Sequence, residues 1–153
     1  MKKLSSILVL MLIALMLFVS CNNSTPTKES GNSDEVKEAS PAEKELILNL
    51  LNAAMGAISN SSSSGAVLMT DSATGEQVAT FNNISNEAGG LTLNGEARLS
   101  ETTVTLKLEE GTKFANVPHT LYCEGSRNAE DNIEVKTLEL DGKKLKYSEP
   151  ISF

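Results

Sequence analysis

The chain has 153 residues, with 13 Lys and Arg against 20 Asp and Glu, and a formal net charge of −7. That length suits one domain with a modest core, and the acidic balance excludes nucleic-acid binding, which needs clustered Lys and Arg. One histidine and two cysteines leave no cysteine pair for a zinc site.

Taken in order, Lys2 and Lys3 give a positive start, and Ile7 to Val19 is thirteen residues without a polar side chain. A membrane span needs about 20 apolar residues to cross a hydrocarbon core of ~30 Å. A basic start, a short apolar run and a small residue before the break make residues 1–20 a secretory signal. The ending Phe18-Val19-Ser20-Cys21 resembles a bacterial lipobox, and Phe18, where Leu is usual, resembles the looser boxes of spirochaetes. The resemblance implies that Cys21 receives diacylglycerol and becomes the mature N-terminus after cleavage. Proteins of this kind carry two or three acyl chains on that cysteine. Each buried CH₂ contributes about 0.8 kcal/mol, and more than one chain gives stable attachment. Asn22 is not the Asp that retains enterobacterial lipoproteins at the inner membrane, so the same resemblance favours the outer membrane of the cell envelope.

Without Lys2 and Lys3, the chain from Cys21 has 11 basic against 20 acidic residues, a net charge of −9. Electrostatic adhesion to anionic lipid is thereby disfavoured, and the acyl chains must hold the protein alone. With Cys21 a thioether, Cys123 has no partner within the chain, no disulfide framework exists, and the free thiol is expected to be buried as a small hydrophobe. Residues 21–39, including NNSTPTKESGNSDEVKEA from Asn22, hold one sizeable apolar residue, Val36. Such a stretch buries too little surface to offset its ordering entropy and reads as a disordered tether.

Residues 40–56 then read as a helix. Ser40 is the N-cap, Pro41 the first helical residue, Glu43 completes a capping box, and Gly56 is the stop. Leu46, Ile47, Leu50, Leu51, Ala54 and Met55 cover most of its circumference, so it is expected to pack on the domain's own sheet. Residues 57–65, with Ser61 to Ser64 and Gly65, read as a linker.

From Ala66 the period changes to two, and 66–153 is expected to be an antiparallel β domain. Asp71 to Glu76 is a hairpin turn; Ala73, Gly75 and Glu76 break the pattern of a calcium loop. Three segments, Leu91 to Gly95, Leu121 to Gly125 and Leu138 to Gly142, share a short phrase that reads as strand, glycine turn, return strand. Asp141-Gly142 suits a two-residue turn pairing Leu140 with Lys143, Glu139 with Lys144 and Leu138 with Leu145. Pro150 to Phe153 reads as a final edge strand. The whole is expected to be mainly β: an antiparallel sheet or half-barrel of seven to eight strands with one N-terminal amphipathic helix. Inward residues would be Val67, Met69, Val78, Leu91 and Leu93 early, then Val104, Leu106, Leu108, Leu121, Cys123, Val135, Leu138, Leu140 and Leu145.

Catalytic signatures are missing from this pattern. His119 has no neighbouring ligand type, the pairs Glu109-Glu110 and Glu130-Asp131 point apart as adjacent residues do, and the linker serines lack a nucleophile elbow. No enzyme, metal or cofactor is expected, and the candidate site residue is the lipidated Cys21. The reading is a lipid-anchored envelope protein, non-enzymatic, that binds a protein partner or serves as a structural component. The alternative is a carrier of a small apolar ligand held between the helix and a curved sheet.

Overall fold

A computed structural model describes residues 36–86 and 89–152. The signal at 1–20, Cys21 and the tether as far as residue 35 lie outside the described residues.

Ser40 starts the first helix by the chemistry its neighbours dictate. Its backbone N–H donates to the Glu43 carboxylate at 2.8 Å and its hydroxyl accepts from the Glu43 N–H at 3.4 Å, the reciprocal capping box. The helix, α1, is Pro41–Ser59. It passes through Gly56, the expected stop, and ends three residues later, where the Asn60 side-chain amide donates to the Gly56 carbonyl at 2.9 Å. The expected linker contains a one-turn helix, α2, Ser61–Ser64, closed by Gly65 at φ 85°. The Ser64 hydroxyl donates back to the Ala57 carbonyl at 2.7 Å.

One short strand, β1, Lys37–Glu38, comes before α1, so the helix is not the first element. After α2 come β2, Val67–Thr70; β3, Gln77–Asn86; β4, Leu91–Leu99; and β5, Thr103–Leu108. A two-residue ribbon, β6, Lys113–Phe114, and β7, Val117–Pro118, precedes β8, Leu121–Arg127; β9, Ile133–Leu140; and β10, Lys143–Lys146. The sheet runs β1-β10-β9-β8-β5-β4-β3-β2, with the ribbon hooked to β4 through Lys113. All of these pairs are antiparallel except β1 with β10, so the ten-stranded sheet is mixed. The count exceeds the seven or eight expected because β1, β6 and β7 are only two residues long and leave no periodic signal.

The two faces follow from register. Ala79, Ala97, Leu106, Cys123 and Leu138 stand opposite one another across five strands, as do Phe81, Gly95, Leu108, Leu121 and Leu140. These rows form one core with Ile47, Leu50, Leu51 and Ala54 of α1. On the other face the row Thr80, Glu96, Lys107, Tyr122, Glu139 and Lys144 is polar, as an antiparallel sheet with one wet side requires.

Three expectations are corrected here. Val67 and Met69 are exposed, and Val78 only half-buried, because β2 pairs Leu68 with Ala79 and so puts Leu68 on the inner face. A one-residue change of phase moves every side chain to the other face. Gly95 and Gly125 are not turns. Both lie inside strands, where a Cβ would meet the Lys107 carbonyl at Gly95 and the Ile133 side chain at Gly125, the close approach that admits only glycine. Finally, Lys37 and Glu38 belong to the sheet and Ala39 is buried, so the tether ends before them. Asp141-Gly142 is the turn expected, with φ 51° and 76° and the pairs Leu140–Lys143 and Glu139–Lys144; Leu138 and Leu145 are both buried.

Candidate functional site

Cys21, the one site residue the sequence nominates, lies outside the described residues. The other chemistry-bearing residues are absorbed by local structure. His119 Nδ1 lies 2.9 Å from Asp141 Oδ2, and Asp141 Oδ1 accepts the Thr120 N–H at 2.8 Å. This pair ties the loop before β8 to the β9–β10 turn. Glu109 pairs with Lys107 at 2.6 Å and Asp131 with Arg127 at 2.6 Å, both near the surface. Such exposed pairs contribute little. Cys123 is buried, and burial, with a smaller push from Glu124, drives its thiol up to about 12. A thiol so placed is no nucleophile. Among the described residues no group of three or more His, Cys, Asp and Glu is placed to hold a metal ion.

A polar node that the sequence does not announce sits at Thr112, fully buried. Its hydroxyl donates to the Asn94 carbonyl at 3.0 Å and accepts the Asn94 N–H at 3.1 Å, while its carbonyl accepts from His119 N–H at 3.0 Å. Asn94 in turn accepts the N–H of Asn83, the residue at φ 53° in the bulge of β3. Every one of these groups is satisfied within the fold, so the node is structural.

What remains open is surface. A cleft of about 490 Å³ lies where Ala53, Gly56 and Ala57 of α1 face Ile84, Leu91 and Leu93, rimmed by Asn60 and Ser63. Small helix residues leave this space because they do not fill the distance to the sheet. A second cleft, about 670 Å³, opens between β9 and residues 145–150, where Val135, Leu145 and Pro150 alternate with Glu134, Lys136 and Glu149.

The third feature is β2. Its side chains Val67, Leu68 and Met69 are 53%, 41% and 59% exposed, the densest run of exposed large apolar residues among those described. Among the described residues only β3 pairs with it. The sequence signal was there as three consecutive apolar residues, but such a run has apolar side chains in both phases and does not say that neither is covered. No helix among the described residues is long and apolar enough to cross a membrane. No protein-family model, curated protein or solved structure matches the chain.

Proposed function

We propose that the protein is an envelope lipoprotein, anchored through acyl chains on Cys21 with the outer membrane favoured over the inner, that works by protein contact at the surface or in the periplasm and not by catalysis. The observation that carries this reading is the apolar edge strand β2, with Val67, Leu68 and Met69 exposed on a chain of net charge −7. An unpaired edge offers backbone donors and acceptors in a row, and exposed apolar side chains beside it add the surface that makes strand addition favourable. A photo-crosslinking residue at Met69, in cells making the full chain, tests it. Protein adducts are expected in the membrane fraction from position 69 and not from Thr137, which is exposed on the outer face of β9; Cys21→Ala is expected to leave the membrane fraction. Equal adducts from both positions, or none, would sink the reading.

A second reading has its own support in the 490 Å³ cleft between α1 and β3–β4. With the sheet curved round α1 as a half-barrel, that cleft would take one acyl chain or a similar slim apolar ligand. Native mass spectrometry of the chain from Asn22, purified from a bacterial periplasm, decides it. A co-purifying mass of a few hundred daltons that leaves on denaturation supports the carrier; a clean apo mass removes it.

A further inference from the structure

A net charge of −9 from Cys21 onward disfavours adhesion of the chain as a whole to anionic lipid, but the fold does not spread that charge evenly. β1 and residues 133–149, which supply β9, β10 and the segment after them, carry five lysines against five carboxylates. Residues 39–132 carry five basic against twelve acidic side chains. The side where the chain enters the sheet is thus neutral, and the excess negative charge belongs to the rest of the domain.

Four of those lysines form one group. Lys37 pairs with Leu145, between Lys144 and Lys146 of β10, and Lys143 begins the same strand. At about 4.8 Å between strands and 3.3 Å per residue, their Cα atoms fall within roughly 10 Å of one another, the range over which charges act together at 0.1 M salt. All four are exposed, and among the described residues none is in an ion pair. The carboxylates around them have other partners. Glu38 and Glu149 are held by Lys44 at 3.2 and 3.0 Å. Glu43 is held by the Ser40 hydroxyl and N–H and feels Lys143 and Lys37 more weakly. Glu139 alone stands across from one of the four, Lys144. Lysines on a strand commonly guard an open edge, yet β1 already covers β10, so edge protection does not account for three lysines on that strand.

We propose that this lysine edge rests on the anionic headgroups of the membrane in which the chain is anchored, so that the domain stands edge-on with β2 directed away from the bilayer. Two observations select lipid from among acidic partners. The lysines sit where the chain from Cys21 joins the fold. Residues 22–35 separate Cys21 from Val36, and on the tether reading that length spans roughly 20 Å. The anchor therefore holds the lysines beside headgroups at an effective concentration that a soluble acidic partner does not reach. The second observation is the uneven charge. The potential of an anionic surface fades within a Debye length, so it draws in the exposed ammonium groups of this edge and repels the acidic remainder. β2 lies seven strand spacings away, roughly 30 Å along the sheet, which suits the contact role given to it. The proposal rests on the anchored reading above and adds a direction to it.

The full-length lipidated chain, placed in phosphatidylcholine vesicles with and without phosphatidylglycerol, tests the orientation. Val36→Cys at the lysine edge and Met69→Cys on β2, at positions 46% and 59% exposed, each carry a fluorophore, and a quencher is attached to the lipid headgroups. Cys123, buried and with its thiol held up to about 12, stays unlabelled. Phosphatidylglycerol is expected to raise quenching at position 36 about threefold and to leave position 69 unchanged, and added salt to reverse the rise. Lys144→Gln with Lys146→Gln is expected to abolish the rise. Lys107→Gln with Lys113→Gln, the same change of charge on β5 and β6, is expected to keep it. An equal response at 36 and 69, no response to phosphatidylglycerol, or equal loss in both double variants overturns the proposal. Retention on a heparin column that falls in the Lys144 and Lys146 variant alone, with quenching blind to phosphatidylglycerol, assigns the edge to an acidic polymer and overturns it too. A chain that does not enter the vesicles at all removes the anchor and the reading with it; a chain that enters without the charge response removes the orientation only.

Discussion

The two edges of this sheet are built on opposite plans. At the β10 edge three stretches far apart in sequence are knitted together. β1 lies parallel to β10 and Ala39 N–H donates to the Lys146 carbonyl at 2.9 Å. Lys44 of α1 pairs with Glu38 at 3.2 Å and Glu149 at 3.0 Å, with its ammonium 5.4 Å from the centre of the Tyr147 ring. Ile151 and Ile133 exchange backbone bonds at 2.8 and 2.9 Å. Among the described residues the β2 edge has one neighbouring strand and three exposed apolar side chains. The difference teaches that stability and contact are separated across the sheet. Long-range contacts collect on the side where the chain enters the fold, and the opposite side carries surface that the fold itself does not use.

Substitutions at matched apolar positions would break that contrast most sharply. Ile151 is 2% exposed in the core cluster, and Ile151→Ala is expected to cost about 2–4 kcal/mol, from lost transfer energy and the cavity left behind. Met69→Ala is expected to fall within about ±0.5 kcal/mol, as surface changes do. Urea unfolding of both variants checks this, and comparable losses would mean that β2 is covered in the free protein. Next in size, Ser40→Ala removes the cap of α1 beside the closed edge and is expected to cost about 1 kcal/mol. A thermal melt indistinguishable from the parent would show that the capping box is ornamental to the closed edge.

How much of this could be read in advance depended on how local each cause is. The start of α1 was legible because Ser40, Pro41 and Glu43 satisfy one another within a single turn. The Asp141-Gly142 hairpin was legible for the same reason, since its register follows from the turn type. The end of α1 was not, because Gly56 keeps a helical backbone with room where a Cβ would stand, and nothing there forces a stop. Gly95 and Gly125 were misread as turns because their need for glycine comes from strands β5 and β9 pressing against them, a cause distant in sequence. The face of β2 was misassigned because Val67, Leu68 and Met69 are apolar in both phases, and only pairing with β3 chooses between them. The candidate surface was missed on the same account, since an edge strand is defined by the neighbour it lacks. Cys21 is nominated by its four-residue context and lies outside the described residues.

The smallest expected effect separates the edges by pH. At the closed edge the Ser148 hydroxyl, aided by Lys44, holds the Glu38 carboxyl below its ordinary value of 4.5. The Ser40 hydroxyl and N–H do the same for Glu43. A carboxyl whose folded pKa is lowered stabilises the fold above its unfolded value, and that contribution is lost as pH falls through the folded one. Stability is therefore expected to decline as pH drops below about 4.5, the ordinary value of these groups. Both carboxyls sit at the surface, so the decline is shallow. Glu38→Gln and Glu43→Gln should each flatten it in urea midpoints measured from pH 6 to pH 3, whereas Met69→Lys should leave the slope as it is. An unchanged slope in the two Gln variants would place the acid sensitivity elsewhere in the sheet and dissolve the contrast between its edges.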